Sequence, residues 1–145
     1  MPFFISACVF ILDRITKHLA SAYIDVHQSI PVINGFFHLT LVHNSGAAFG
    51  LLKNQVPLFI VTSLCAVVLI IRDLLLNRPH RLYNCALSLI LAGAAGNLVD
   101  RLFLGYVVDF LDFRVWPVFN VADSAITIGV CLLGYLILTG KDKKQ

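Results

Sequence analysis

Two aspartates, Asp109 in GYVVDF and Asp123 in FNVADS, stand beside long apolar stretches, where an ionised carboxylate is out of place. Such a group costs several kcal/mol to desolvate unless it is paired, protonated or in a wet cavity. Two carboxylates held close together cannot both ionise, so they share one proton and titrate as a pair. The pair then supplies one base to deprotonate a water and one acid to protonate a leaving amine, with no metal involved. Asp109 leaves a strand-like segment and Asp123 opens an apolar helix, and the short segment between them lets a strand and a turn bring them face to face. The helix N-terminus favours the charged form of Asp123, which leaves Asp109 as the proton carrier. The sequence does not choose which of the two starts as base.

Other polar residues gather at the same depth: Asp13 with Lys17, Asn44 in VHNSGAAFG, Asn97 with Asp100 and Arg101 in GAAGNLVDR, and Asn120. Each has a plain structural explanation. Asp100 beside Arg101 makes a helix-end ion pair, Asn97 and Asn120 satisfy free backbone groups, and Asp123 caps its helix. Capping alone does not account for their collection at one depth. Other chemistries lack their residues. There is no HExxH and no Gly-x-Ser-x-Gly, and Ser45 has no recognisable base. His38 and His43 lie in a strand-like segment and point to opposite faces, which disfavours a metal site. Phosphate- and dinucleotide-binding loops are absent too, so neither metal nor cofactor is expected. A small-residue run, Ala92 to Gly96, allows a second helix backbone to approach closely.

The elements that must hold these residues are membrane elements. The 145-residue chain is 59% hydrophobic and 13% charged, with a mean hydropathy of +0.86, whereas soluble domains are about half apolar and a quarter charged. The net charge of +3 is too small and too confined to loops for nucleic-acid binding. A spanning helix needs about twenty apolar residues, and windows at about 3–23, 56–76, 82–102 and 121–139 qualify. The first is a retained helix and not a cleaved leader, since it lacks a basic n-region and a small-x-small site. Cys8, Cys65, Cys85 and Cys131 fit no zinc spacing and read as small buried hydrophobes. Arg72, Arg78, Arg81, Lys141, Lys143 and Lys144 place their segments in the cytoplasm, and with them both termini. The outer segments Ile33–Phe49 and Tyr106–Phe119, rich in β-branched and aromatic residues, suit short strands at the interface.

Taken together these residues resemble the lipoprotein signal peptidase (signal peptidase II) family. The shared motifs are D-x-x-T-K at Asp13, Thr16 and Lys17; V-x-N-x-G-x-A-F at Val42, Asn44, Gly46, Ala48 and Phe49; G-N-x-x-D-R then G-x-V-V-D-F from Gly96 to Phe110; and F-N-x-A-D-S from Phe119 to Ser124. All four occur in family order across about residues 10–140. The resemblance implies an all-α membrane protein of one domain, with four transmembrane helices and a small extracytoplasmic β-cradle. It implies an aspartyl endopeptidase of the bacterial plasma membrane, active on the extracytoplasmic side, which cuts diacylglyceryl-modified prolipoproteins just before the lipidated Cys. The family's catalytic aspartates fall on Asp109 and Asp123. Its substrate-binding and supporting residues fall on Asn44, Asn97, Asp100, Arg101 and Asn120, with Asp13 and Lys17 structural. Asp100 ranks third for catalysis, and its neighbour Arg101 is what it is expected to hold. The expected partners are prolipoprotein substrates and membrane lipids, and the expected state is a monomer. The rival from another class is a small proton-coupled transporter, disfavoured because the aspartates cluster on one side and no inverted repeat appears.

Overall fold

The computed structural model describes residues 2–46, 55–76 and 81–140. Among them the chain forms α1 (Pro2–Tyr23), β1 (Ser29–Ile33), β2 (Phe37–Asn44), α2 (Val56–Leu76), α3 (Arg81–Phe103), β3 (Val107–Asp112) and α4 (Val121–Leu138). By length and composition α2, α3 and α4 can each cross a membrane. α1 is of similar length but interrupts its apolar run with Asp13, Arg14 and Lys17, two of which are buried. Arg78, Lys141, Lys143 and Lys144, together with Ala48 and Phe49, lie outside the described residues.

α3 is the central element. It packs against α1, α2 and α4 and buries eleven residues, where α2 buries only Leu74. Its small-residue run is what lets α4 in. A Cβ built on Gly93 would stand 2.3 Å from the Ala122 carbonyl oxygen, so only glycine permits the two backbones to touch there. At the far end, Leu74, Leu87 and Leu91 close α2 onto α3. α2 and α4 meanwhile turn rows of large apolar side chains outward, among them Val61, Leu64, Val68, Ile128 and Val130. In water such surfaces would aggregate, and in lipid they are at equilibrium.

The sheet is antiparallel, in the order β1-β2-β3. One face packs Leu41, Val108 and Phe110 onto Ala20 and Ile24 at the end of α1. The two outer segments thus yield β2 and β3, while β1 begins four residues before the expected strand region. Pro31 hides β1 in the sequence, yet proline is tolerated on an edge strand, where no neighbour needs its missing N–H. The β-branched residues Ile30, Val32 and Ile33, followed by Asn34-Gly35, were the available hairpin signal.

The cysteines correct one expectation. Cys8, Cys65 and Cys131 are exposed, and only Cys85 is partly covered. An apolar run in a lipid-facing helix is as hydrophobic outside as inside, so apolar neighbours do not signify a protein core.

Candidate active site

Asp109 sits in β3, paired in register with Val42 of β2, and is 2% exposed. Both of its oxygens accept from amides. Asn44, ending β2, donates Nδ2 to Asp109 Oδ2 at 2.9 Å, and the Gly46 N–H fixes that amide's orientation by donating to Asn44 Oδ1 at 2.9 Å. Asn120 donates Nδ2 to Asp109 Oδ1 at 2.6 Å.

Asp123 belongs to the first turn of α4, and the local sequence explains why the helix starts there. Asn120 is the N-cap, with extended φ and ψ, and its Oδ1 accepts the Asp123 N–H at 2.9 Å. Asp123 Oδ2 in return accepts the Asn120 N–H at 3.2 Å, which completes a capping box. Capping uses one oxygen of Asp123. The other accepts Asn97 Nδ2 at 2.7 Å. Lys17 Nζ, 2.9 Å from Asn97 Oδ1, obliges that amide to present its NH2 to the carboxylate.

Asp109 and Asp123 both line one cavity of about 500 Å³, bounded by α2, α3, α4, β3 and the segment around Trp116. Arg101, in the last turn of α3, lines it too. The Arg101 guanidinium lies over the Phe59 ring at 4.8 Å, and its Nε has no hydrogen-bond partner among the described residues. Below the carboxylates the walls are small or apolar: Ser63 and Ala66 on α2, Ala94 on α3, Ile126 on α4.

Burial raises the Asp109 carboxyl from its ordinary 3.8 to about 7, and the negative charge of Asp123 adds to this; hydrogen bonds from Asn44 and Asn120 oppose it. Two carboxylates in one cavity, one of them titrating near neutrality, can hold a single proton between them at physiological pH. That arrangement deprotonates a water with one member and protonates a leaving group with the other.

The remaining site residues divide into two sets. Asn97 and Asn120 are 5% and 0% exposed, and their amides are taken up by the carboxylates. They support Asp109 and Asp123, as Asn44 does, while Asn44, Asn97 and Arg101 all line the cavity. Asp13, Lys17 and Asp100 form a separate buried cluster behind the cavity, where Lys17 Nζ ion-pairs with Asp13 at 3.0 Å and with Asp100 at 2.8 Å. The expectation that Asp100 holds Arg101 fails. No ion pair joins the two among the described residues, and Asp100 instead turns to Arg14 and Lys17 of α1. Adjacent residues on a helix point about 100° apart, so Asp100 and Arg101 face different neighbours. His38 bonds to Ser29 while His43 stacks on Tyr106, so the two do not converge. The sequence reading did not foresee Arg14 as a partner of Asp100, although its position one turn before Lys17 on α1 was a usable signal. It carried no signal for Phe59 beneath Arg101.

A profile of the Signal peptidase (SPase) II family matches residues 5–139. The lipoprotein signal peptidase of Caldanaerobacter subterraneus subsp. tengcongensis is 50% identical over 139 residues, covering 95% of this chain and 96% of that protein. The one from Moorella thermoacetica is 48% identical over 140 residues, with coverages of 95% and 93%. Among solved structures, a bacterial membrane enzyme determined in meso at 2.3 Å superposes with a TM-score of 0.91 at 32% identity, covering 99% of this chain and 91% of that one. A second, at 1.9 Å, gives 0.85 at 32% identity, with coverages of 94% and 92%.

Proposed function

Since this chain belongs to the signal peptidase II family and is an aspartic-type signal peptidase, we propose that Asp109 and Asp123 are its catalytic pair and that its substrates are diacylglyceryl-modified prolipoproteins of the bacterial plasma membrane. The observation that carries the reading is the convergence of both carboxylates on one cavity, with the Asn120 side chain bonded to the Asp109 carboxylate and to the backbone N–H of Asp123.

The substrate's signal helix lies in lipid against α2 and α4, and its acyl chains add most of the apolar contact. The backbone around the scissile bond is extended across the pair, held by Arg101 and Asn44. Asp123, at the helix N-terminus, takes a proton from a water as the water oxygen bonds to the carbonyl carbon preceding the lipidated Cys. Asp109 gives its proton to the Cys nitrogen, the C–N bond breaks, and the products are a signal-peptide carboxyl group and a free lipidated Cys amine. One water is consumed and the pair again holds a single proton.

The chain is read as one monomeric domain with α1 as a fourth span, both termini in the cytoplasm and the pair on the extracytoplasmic side. Burial of Asp13 and Lys17 within the bundle supports this, because their charges are paired away from lipid. So does the position of Arg72 and Arg81, near the ends of α2 and α3 remote from Asp109. The direct test is to incubate the purified protein with a diacylglyceryl prolipoprotein and sequence the product by mass spectrometry. A new N-terminus at the lipidated Cys is expected, and any other cleavage position contradicts the assignment.

A further inference from the structure

The buried cluster behind the cavity connects to both members of the pair. Lys17 is 1% exposed, and three acceptors stand within 3.0 Å of its Nζ: Asp13 Oδ2, Asp100 Oδ2 and Asn97 Oδ1. Each leads on. Asp13 Oδ1 accepts the N–H of Ala122 at 2.9 Å, and Ala122 immediately precedes Asp123. Asp100 Oδ2 accepts the N–H of Val108 at 3.3 Å, and Val108 immediately precedes Asp109. Asn97 binds Asp123 itself at 2.7 Å.

From this geometry we infer that Lys17 is a positioning residue for the reaction, tying the backbone segments of Asp109 and Asp123 to one ammonium and so fixing the separation of the two carboxylates. The inference rests on Asp109 and Asp123 being the catalytic pair. β3 and the start of α4 are consecutive elements joined by the segment 113–120. Asn120 joins them in front, within the site, while Lys17 joins them from behind through α1. A carboxylate on each side accepts the backbone N–H and balances the charge of the ammonium at once. Gly96 belongs to the same device. A Cβ placed on it would stand 2.6 Å from Asp13 Oδ2, so any other residue drives that carboxylate out of position. This gives a specific reason for glycine in the middle of a helix, where it is otherwise destabilising relative to alanine.

Two variants test the tie while leaving Asp109 and Asp123 untouched. The double substitution Lys17→Met with Asp13→Asn removes one buried charge of each sign. Gly96→Ala keeps every charge, favours the helix and pushes only on Asp13. For each, kcat, KM, melting temperature and the pH dependence of kcat/KM are measured on a lipidated prolipoprotein, with Asp109→Asn as the reference. In both variants kcat is expected to fall by about a hundredfold, the size of a 1 Å misplacement of reacting groups, with KM changed by no more than about twofold and a limb of the pH profile displaced. A role confined to stability would lower the melting temperature and leave kcat and the pH profile of the folded protein as they were. If the double variant does not fold, Gly96→Ala decides. A folded Gly96→Ala with the parent's kcat and pH profile overturns the inference, provided Asp109→Asn is inactive. If Asp109→Asn is itself active, the reading of the pair has failed instead.

Discussion

Asn120 holds Asp109 from the N-cap of α4, its Nδ2 2.6 Å from Asp109 Oδ1, so one side chain both starts a helix and binds a carboxylate on a neighbouring strand. The two roles separate by substitution. Serine is as good an N-cap as asparagine but has no NH2 to reach Asp109. Asn120→Ser should therefore melt within a few degrees of the parent and yet lose about tenfold or more in kcat, as a buried carboxylate oxygen is left without its donor. Thermal melts and steady-state cleavage of the same preparation measure both, and an Asn120→Ser protein with full activity would deny Asn120 any part beyond capping.

The pH dependence follows from Asp109. Its proton is present below about 7 and lost above, so kcat/KM should have a basic limb near pH 7. Stability moves the same way. A carboxyl whose pKa is raised on folding favours the folded state at low pH, relative to its ordinary 3.8, and that advantage is lost as pH rises towards 7. Asp109→Asn removes the buried charge, so it should melt higher than the parent at pH 8, with the difference shrinking by pH 4. A melting difference that is the same at both pH values would mean that Asp109 is not the group titrating.

The orientation is tested by single cysteines introduced at positions 44 and 81 in a background without the native four. Position 44 should label from outside and position 81 from the cytoplasm, and the opposite pattern reverses the topology.

The polar site is confined to a few side chains, and the proposed binding mode draws the bulk of substrate affinity from lipid-facing contact. Each buried acyl methylene is worth roughly 0.8 kcal/mol. Prolipoprotein lacking its diacylglyceryl group should be cleaved far more slowly, mainly through a raised KM. Equal rates with and without lipid would remove acyl contact from the account.

Much of this was legible in the residues. The helices lie close to the apolar windows because twenty apolar residues in a row have few alternatives. Asp109 and Asp123 stood out because a carboxylate in apolar surroundings calls for a partner. What could not be read was direction. Asp100 and Arg101 are neighbours in sequence, and only the packing of α1 on α3 shows that one faces Lys17 and the other faces the cavity. Asn97 and Asn120 looked like groups for a substrate backbone, but whether an amide is spent on its own protein depends on long-range contacts. The cysteines failed for a related reason, since hydropathy does not separate lipid from core.

Asp109 and Asp123 are proposed to perform the hydrolysis together. The measurement is the cleavage rate of a lipidated prolipoprotein by Asp109→Asn, Asp123→Asn and Asp100→Asn, each shown by its melt to be folded, with a chelator control that should change nothing. Asparagine keeps the shape and most of the hydrogen bonds but neither takes a proton from water nor gives one to the amine. The first two should each lose about a hundredfold to ten-thousandfold, and combining them should be little worse than either alone. Asp100→Asn should lose activity only in part and melt lower, because it leaves Lys17 and Arg14 short of a carboxylate. A folded Asp100→Asn without activity, beside an Asp109→Asn that cleaves normally, would contradict the account and make Asp100 the partner of Asp123.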